Sequence, residues 1–185
     1  MWLRQAQPDD AAFLASGWRT SLRDNESDGD ADILSIIEAA HGSPEEQLLI
    51  AEYDGARAGA ALLRVTTVSP LNLEPVLTVI APFVVASQRR KGIGRALFNA
   101  ATTFADERGI TTMATVATAG SREANRYFAR LGLGSHALVR TAPVALVASR
   151  LAVAAGQRTL RPRQGAKLAD VMAARRAVRR APAAP

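Results

Sequence analysis

The residues best placed by type and spacing to do chemistry form one basic, glycine-punctuated stretch, Ser87-Gln88-Arg89-Arg90-Lys91-Gly92-Ile93-Gly94. Gly92 and Gly94 let a ligand approach bare main chain, with no Cβ in the way. Arg89, Arg90, Lys91 and Arg95 surround the same turn with positive charge. If a helix begins here, its first amides lack partners and its positive dipole end faces out, which suits a phosphate. The same residues also suit an ordinary tight turn with solvated basic side chains, and spacing alone does not separate the two. Two commoner phosphate motifs are absent: no Gly-Lys-Ser/Thr occurs, and the first glycine of a dinucleotide fold is missing.

The flanking elements must position that turn. Val76 to Ala86 is an apolar run rich in β-branched residues and reads as a buried strand. After the turn, apolar residues recur at Ile93, Ala96, Leu97, Ala100, Ala101 and Phe104, one helical face, until Gly109. The expected unit is strand, glycine turn, helix. Pro82 lies inside the strand and cannot donate a ladder hydrogen bond, so it belongs at an edge or a bulge.

Arg89 to Gly94, continued by Arg95-Ala-Leu-Phe98, resembles the acetyl-CoA loop of the GNAT N-acetyltransferase superfamily, Arg/Gln-x-x-Gly-x-Gly/Ala between a strand and a long helix. A strand over Ile110 to Thr118 and the run Ser121-Arg-Glu-Ala-Asn-Arg-Tyr-Phe-Ala-Arg-Leu-Gly132-Leu133 resemble the family's next strand and closing helix. The likeness spans Val76 to Leu133, is weak before it and stops by about Leu151. It implies an α/β (α+β) fold with a mixed, mostly antiparallel sheet of about seven strands, about four flanking helices and a basic C-terminal extension. It implies acetyl transfer from acetyl-CoA to an amine of a small molecule or protein, directly, in a ternary complex and without a metal.

The resemblance also assigns residues. The splayed central strand would pair with the pantetheine arm through Val84, next to Val85 and Ala86, with a backbone N–H near Phe83 or Val84 as oxyanion donor. Arg89, Arg90, Lys91, Gly92, Ile93, Gly94 and Arg95 would hold the diphosphate. Ser121 stands where the family usually has Asn; Ser121, Asn125 and Phe128 share a helix face toward the CoA arm. The family's proton-donating tyrosine maps onto Phe128, which has no hydroxyl. Tyr127, one residue earlier, sits about 100° round the helix and is expected to point elsewhere, so it is a weak candidate for the acid. Glu74, just before the strand, is the first candidate for the general base and Glu52 the second. The alternative to an enzyme is an acyl-CoA-sensing domain whose tail docks on a partner.

The rest of the chain fits one such domain over residues 1–151, with an Ala/Arg-rich extension over 152–185. Trp2 to Gln7 reads as a strand and Pro8-Asp9-Asp10 as the opening of a helix presenting Phe13, Leu14, Trp18 and Leu22. An acidic segment, Asp24 to Asp32, precedes a second helix with Ile33, Ile36, Ile37 and Ala40 on one face. Asp54-Gly55 joins two strands as a hairpin, and Ala137 to Arg140 with Val144 to Leu151 reads as a final antiparallel pair. The resemblance implies that the acidic segment borders the acceptor pocket, where it would draw in a cationic amine; a solvated polar loop is the plainer reading of the same residues.

The net charge of +6 is unevenly spread: 14 Lys/Arg against 16 Asp/Glu up to Ser149, then 9 against 1 from Arg150. Basicity therefore belongs to the tail, which lacks aromatic residues for stacking bases, so nucleic acid is a poor fit. A solvated extension is the plainest reading of the tail, and docking on a partner or a second subunit comes next. With no cysteine the chain has neither disulfides nor a thiolate nucleophile, which suits the cytoplasm and excludes a cysteinyl acetyl-enzyme. No apolar run is long enough to span a bilayer. His41 and His136, the only histidines, have no carboxylate spacing that would make a metal site.

Overall fold

Five strands line up in their chain order as one mixed sheet: β1 (Trp2–Gln5), β2 (Glu46–Tyr53), β3 (Ala56–Ser69), β4 (Asn72–Val84) and β5 (Thr112–Val116). The computed structural model describes residues 1–19, 29–116, 121–136, 140 and 142–159, and for 29–30 and 154–159 the backbone only. β1 through β4 pair antiparallel; β4 and β5 pair parallel, from Val76↔Thr112 to Ile80↔Val116. The β2–β3 hairpin turns at Asp54-Gly55, where both residues have positive φ, as the sequence predicts.

Alternation along the strands feeds two apolar layers. Leu49, Leu63, Leu77 and Val79 face α3 (Ile93–Asp106) and α4 (Arg122–Arg130), burying Ile93, Leu97, Ala101, Phe104 and Phe128. Leu48, Ile50 and Leu62 face α1 (Ala11–Trp18) and α2 (Gly29–Gly42), burying Leu14, Trp18, Ile33 and Ile37. A 3₁₀ turn, Pro8–Asp10, leads into α1. Of the predicted first-helix face, Leu22 lies outside the described residues, as do Asp24 to Asp28.

Residues Met1–Gly134 form one compact unit and Ser135–Pro185 a second. The second contains α5 (Val144–Thr159), and this corrects the sequence reading. Val144 to Leu151 is helical, not the last strand of an antiparallel pair. Its valines invite a strand assignment, but Ala145, Ala148 and Leu151 favour helix, and Val144, Val147 and Leu151 recur at helical spacing. Most of its expected partner, residues 137–139, lies outside the described residues, which hold five strands rather than seven. α5 runs unbroken across Leu151 and Ala152. Among the described residues no helix is long and apolar enough to cross a membrane.

Candidate active site

The site is built where β4 breaks from regularity. Between Ala60↔Phe83 and Leu62↔Ile80 the partner strand advances by one more residue than β3, so Ala81 and Pro82 form a bulge. Ala81 has φ +45°, unusual for a residue with a side chain. Its carbonyl, out of the ladder, accepts from Trp18 Nε1–H at 2.7 Å. Pro82, which has no N–H to lose, occupies the bulge as the sequence predicts.

Beyond the bulge, β4 keeps one neighbour among the described residues. Val84 pairs with Gly59, and Val85 N–H donates to Ala58 O at 2.9 Å. Among the described residues, pairing with β5 ends at Ile80↔Val116. Main-chain groups alternate sides along a strand, and Val85 N–H and Phe83 C=O both turn toward β3. Val84 N–H and C=O therefore face the opening side. Gly59 permits this approach: a Cβ there would stand 2.6 Å from Phe83 O.

The cleft beside this edge has a volume of about 450 Å³, and α3 begins in its wall. Gly92, φ +84°, is the N-cap of α3 and has no side chain to cap it. The first helical bond runs from Ala96 N–H to Gly92 O, so the amides of Ile93, Gly94 and Arg95 precede the ladder. Arg89, Arg90, Arg95 and Arg130 also line the cleft. Arg89 is held across its mouth by Glu123, Nη1 to Oε2, at 2.9 Å.

The far wall is α4. Ser121 caps it, its Oγ accepting from Ala124 N–H at 3.4 Å. Tyr127 and Phe128 both line the cleft, and their rings pack on Phe98 at 5.8 Å each. Tyr127 does not point away from the site. Its hydroxyl lies at the first turn of α3, where a Cβ on Gly94 would stand 3.4 Å from Oη. That Oη is buried and has no hydrogen-bond partner among the described residues. Burial raises the Tyr127 pKa above the ordinary tyrosine value, against a lesser opposing pull from Arg130 and Arg95, so the phenol stays neutral.

The cleft thus brings together Phe83, Val84, Arg89, Arg90, Gly92, Ile93, Gly94, Arg95, Ser121, Tyr127 and Phe128. Others lie elsewhere. Val85 bonds to β3, Ala86 opens a short 3₁₀ turn, and Asn125 is exposed outside the lining. Lys91 turns to Gln88 Oε1 at 2.8 Å and the Tyr53 ring at 4.5 Å. Glu74 sits exposed at the opposite end of β4, ten residues and roughly 30 Å of extended chain from Val84, and is not a base for this cleft. Glu52 is committed to Arg4 Nε at 2.7 Å. His41 Nε2 lies 2.8 Å from Ala6 O. Among the described residues no group of three His, Cys, Asp or Glu is arranged to hold a metal.

Residues 12–133 match the profile of the acetyltransferase (GNAT) family. The chain belongs to the GNAT acetyltransferase family. No curated protein matches it. Solved structures share the fold at low identity. A transcriptional regulator from Bacillus halodurans superposes with a TM-score of 0.65 at 18% identity, over 77% of this chain and 99% of that one. The aminoglycoside N-acetyltransferase AAC(6')-Iy in complex with CoA does so at 0.63 and 21%, over 77% and 93%. A predicted acetyltransferase from Clostridium acetobutylicum with acetyl-CoA gives 0.61 and 16%, over 78% and 96%.

Membership makes this GNAT protein an enzyme that takes its acyl group from acetyl-CoA. Its own residues fit that donor. The amides at the head of α3 and the guanidinium groups suit a diphosphate, the Val84 edge suits an amide-bearing arm, and the Tyr127 Oη has no partner among the described residues. Sequence reasoning missed Trp18, Gly59 and Glu123, none of which lies near the glycine turn in the chain; only Pro82 signalled the bulge that Trp18 and Gly59 serve.

Proposed function

We propose that this enzyme moves the acetyl group of acetyl-CoA directly onto an amine, of a small molecule or a protein, with donor and acceptor bound together at the β4 bulge. One observation carries the reading: three sets of hydrogen-bonding groups without partners among the described residues converge on one cleft. They are the amides at the head of α3, the free edge at Val84 and the buried Tyr127 hydroxyl. Elsewhere such groups are costly to leave unpaired, so their concentration here supports a bound partner.

In this reading the amides of Ile93 to Arg95, with Arg89, Arg90 and Arg95, hold the diphosphate. Val84 C=O accepts from an amide N–H of the pantetheine arm as a neighbouring strand would. Toward the carbonyl the acceptor attacks, Val84 N–H is the donor rather than Phe83 N–H, because alternation turns the latter to β3. The new C–N bond forms as the C–S bond breaks. The departing thiolate takes its proton from Tyr127 Oη, which burial keeps protonated, and the proton shed by the acylated nitrogen passes through water back to the tyrosinate. The acceptor attacks as the free amine, its ammonium proton having gone to water: neither Glu74 nor Glu52 lines the cleft, and Glu123, which does, is paired with Arg89 at its mouth.

The test is calorimetric titration with acetyl-CoA, followed by a screen of amines and peptide lysines for thiol release. Gly92→Glu puts a carboxylate and a strained positive φ at the diphosphate site, and should weaken acetyl-CoA binding by about a hundredfold or more. Unchanged affinity in that variant would remove the reading. Binding without amine-dependent thiol release would instead leave a sensing domain.

A further inference from the structure

We propose that Trp18 is a positioning residue for the acyl donor: its indole N–H, from the last turn of α1, holds the β4 bulge in the shape that frees the Val84 edge. The inference rests on the reading above that this edge takes up the pantetheine arm. Ala81 has φ +45°, which an L-residue rarely keeps unless its surroundings hold it. Ala81 and Pro82 have no cross-strand partners in the β3–β4 register. Pro82 has no N–H, and the Ala81 carbonyl turns out of the sheet. Trp18 Nε1–H meets that carbonyl at 2.7 Å.

A second contact fixes the same joint. The Phe83 ring packs edge-on to Trp18, with centroids 6.2 Å apart, and lies over Gly17. A Cβ on Gly17 would stand 2.1 Å from Phe83 Cζ, so the ring rests directly on the helix backbone. Consecutive residues of α1 thus grip Ala81 and Phe83, on either side of Pro82. Both grips come from the sheet face opposite α3, so they do not touch the diphosphate site. A flattened bulge would return Val84 toward regular pairing and leave the amides of α3 as they are. The clamp therefore governs the arm and not the nucleotide.

That separation supplies the test. Titration compares the wild type, Trp18→Phe and Trp18→Phe/Ala81→Gly, each with acetyl-CoA and with ADP, which has the diphosphate but no pantetheine arm. Trp18→Phe keeps an aromatic ring and loses the N–H; it should weaken acetyl-CoA by about tenfold and leave ADP unchanged. Glycine accepts positive φ without strain, so Ala81→Gly should restore most of the lost affinity. Equal weakening of both ligands, unaltered acetyl-CoA binding, or no restoration by glycine each overturns the proposal. A wild type that binds no acetyl-CoA overturns the cleft reading as well. Should Trp18→Phe fail to fold, benzothienylalanine placed at position 18 keeps the shape of Trp without its N–H. The same loss confined to acetyl-CoA is expected there, and wild-type affinity overturns the clamp.

Discussion

Two polar clusters in this protein obey opposite rules. Around Asp10, which is fully buried, every oxygen is met: Arg4 Nη1 donates at 2.6 Å and Nη2 at 2.9 Å, Gln7 N–H at 2.8 Å, and Arg57 Nε–H joins from β3. Arg4 also reaches Glu52, and Arg57 reaches Asp9. In the α3 cleft the reverse holds: among the described residues a buried phenol lacks a partner and the helix amides lack a cap. Buried polar groups that are satisfied hold a fold together, whereas those left open await a ligand. The acidic and basic residues of this chain sort accordingly, and charge alone does not reveal which cluster is which.

Breaking the satisfied cluster should have the largest effect. Asp10→Asn keeps the shape but leaves two guanidinium groups facing a neutral amide, and should cost about 3–5 kcal/mol of stability by urea unfolding. The pH dependence follows from the wild type. Burial alone would raise the Asp10 pKa, but hydrogen bonds from Arg4, Gln7 and Arg57 outweigh it and hold the carboxyl well below the usual carboxylate range. A depressed folded pKa gives stability that is complete above the unfolded value, about 4, and is lost as pH falls through that value toward the folded one. Asp10→Asn lacks that component, so its stability should fall less steeply in acid. Parallel acid curves for the two proteins would mean that the cluster is not what holds α1 and the sheet together.

Touching the unsatisfied group should change rate, not fold. Tyr127→Phe should lower kcat by roughly a hundredfold, with little change in the acetyl-CoA affinity. Its melting temperature should hold or rise slightly, because the hydroxyl removed was buried without a partner. With its pKa raised by burial, Tyr127 gives up its proton only above the ordinary tyrosine value, so wild-type kcat should hold through that value and fall only on its alkaline side. The variant should lack that limb. A destabilised Tyr127→Phe with undiminished kcat would move Tyr127 into the structural class.

Much of this contrast was legible in the residues, and the exceptions have physical causes. The α3 face reads directly because Ile93, Leu97, Ala101 and Phe104 repeat at helical spacing, and all four are buried. Pro82 announces the bulge through its missing N–H. Glu74 misleads because adjacency in sequence becomes distance along an extended strand. Tyr127 misleads because an angle counted round a helix ignores side-chain length: α4 stands against a cleft broad enough to be lined by both Tyr127 and Phe128. The sequence marks Trp18 only as a face of the first helix and Asp10 only as part of its opening, because the distant partners that give them their roles, Ala81 and Arg57, lie 63 and 47 residues away. Val144 to Leu151 reads as strand from its valines and folds as helix, propensity at short range being a weak guide.

One pair falls between the two classes and offers the finest test. Arg89 and Glu123 bridge the cleft mouth at 2.9 Å, yet their side chains are 53% and 74% exposed. A pair so open to water contributes little, so Glu123→Gln should leave the unfolding free energy within about 0.5 kcal/mol. What it changes is the charge the donor meets. The carboxylate leaves the cleft wall and Arg89 is free to turn toward a phosphate, so acetyl-CoA affinity should rise about two- to threefold at low salt. The gain should shrink toward nothing at about 1 M salt, where the Debye length is only about 3 Å. Titration at both ionic strengths measures it. A fall in affinity at low salt would show that the bridge shapes the loop for its ligand, and a surface pair would then have to be counted with Asp10, among the contacts that build the site.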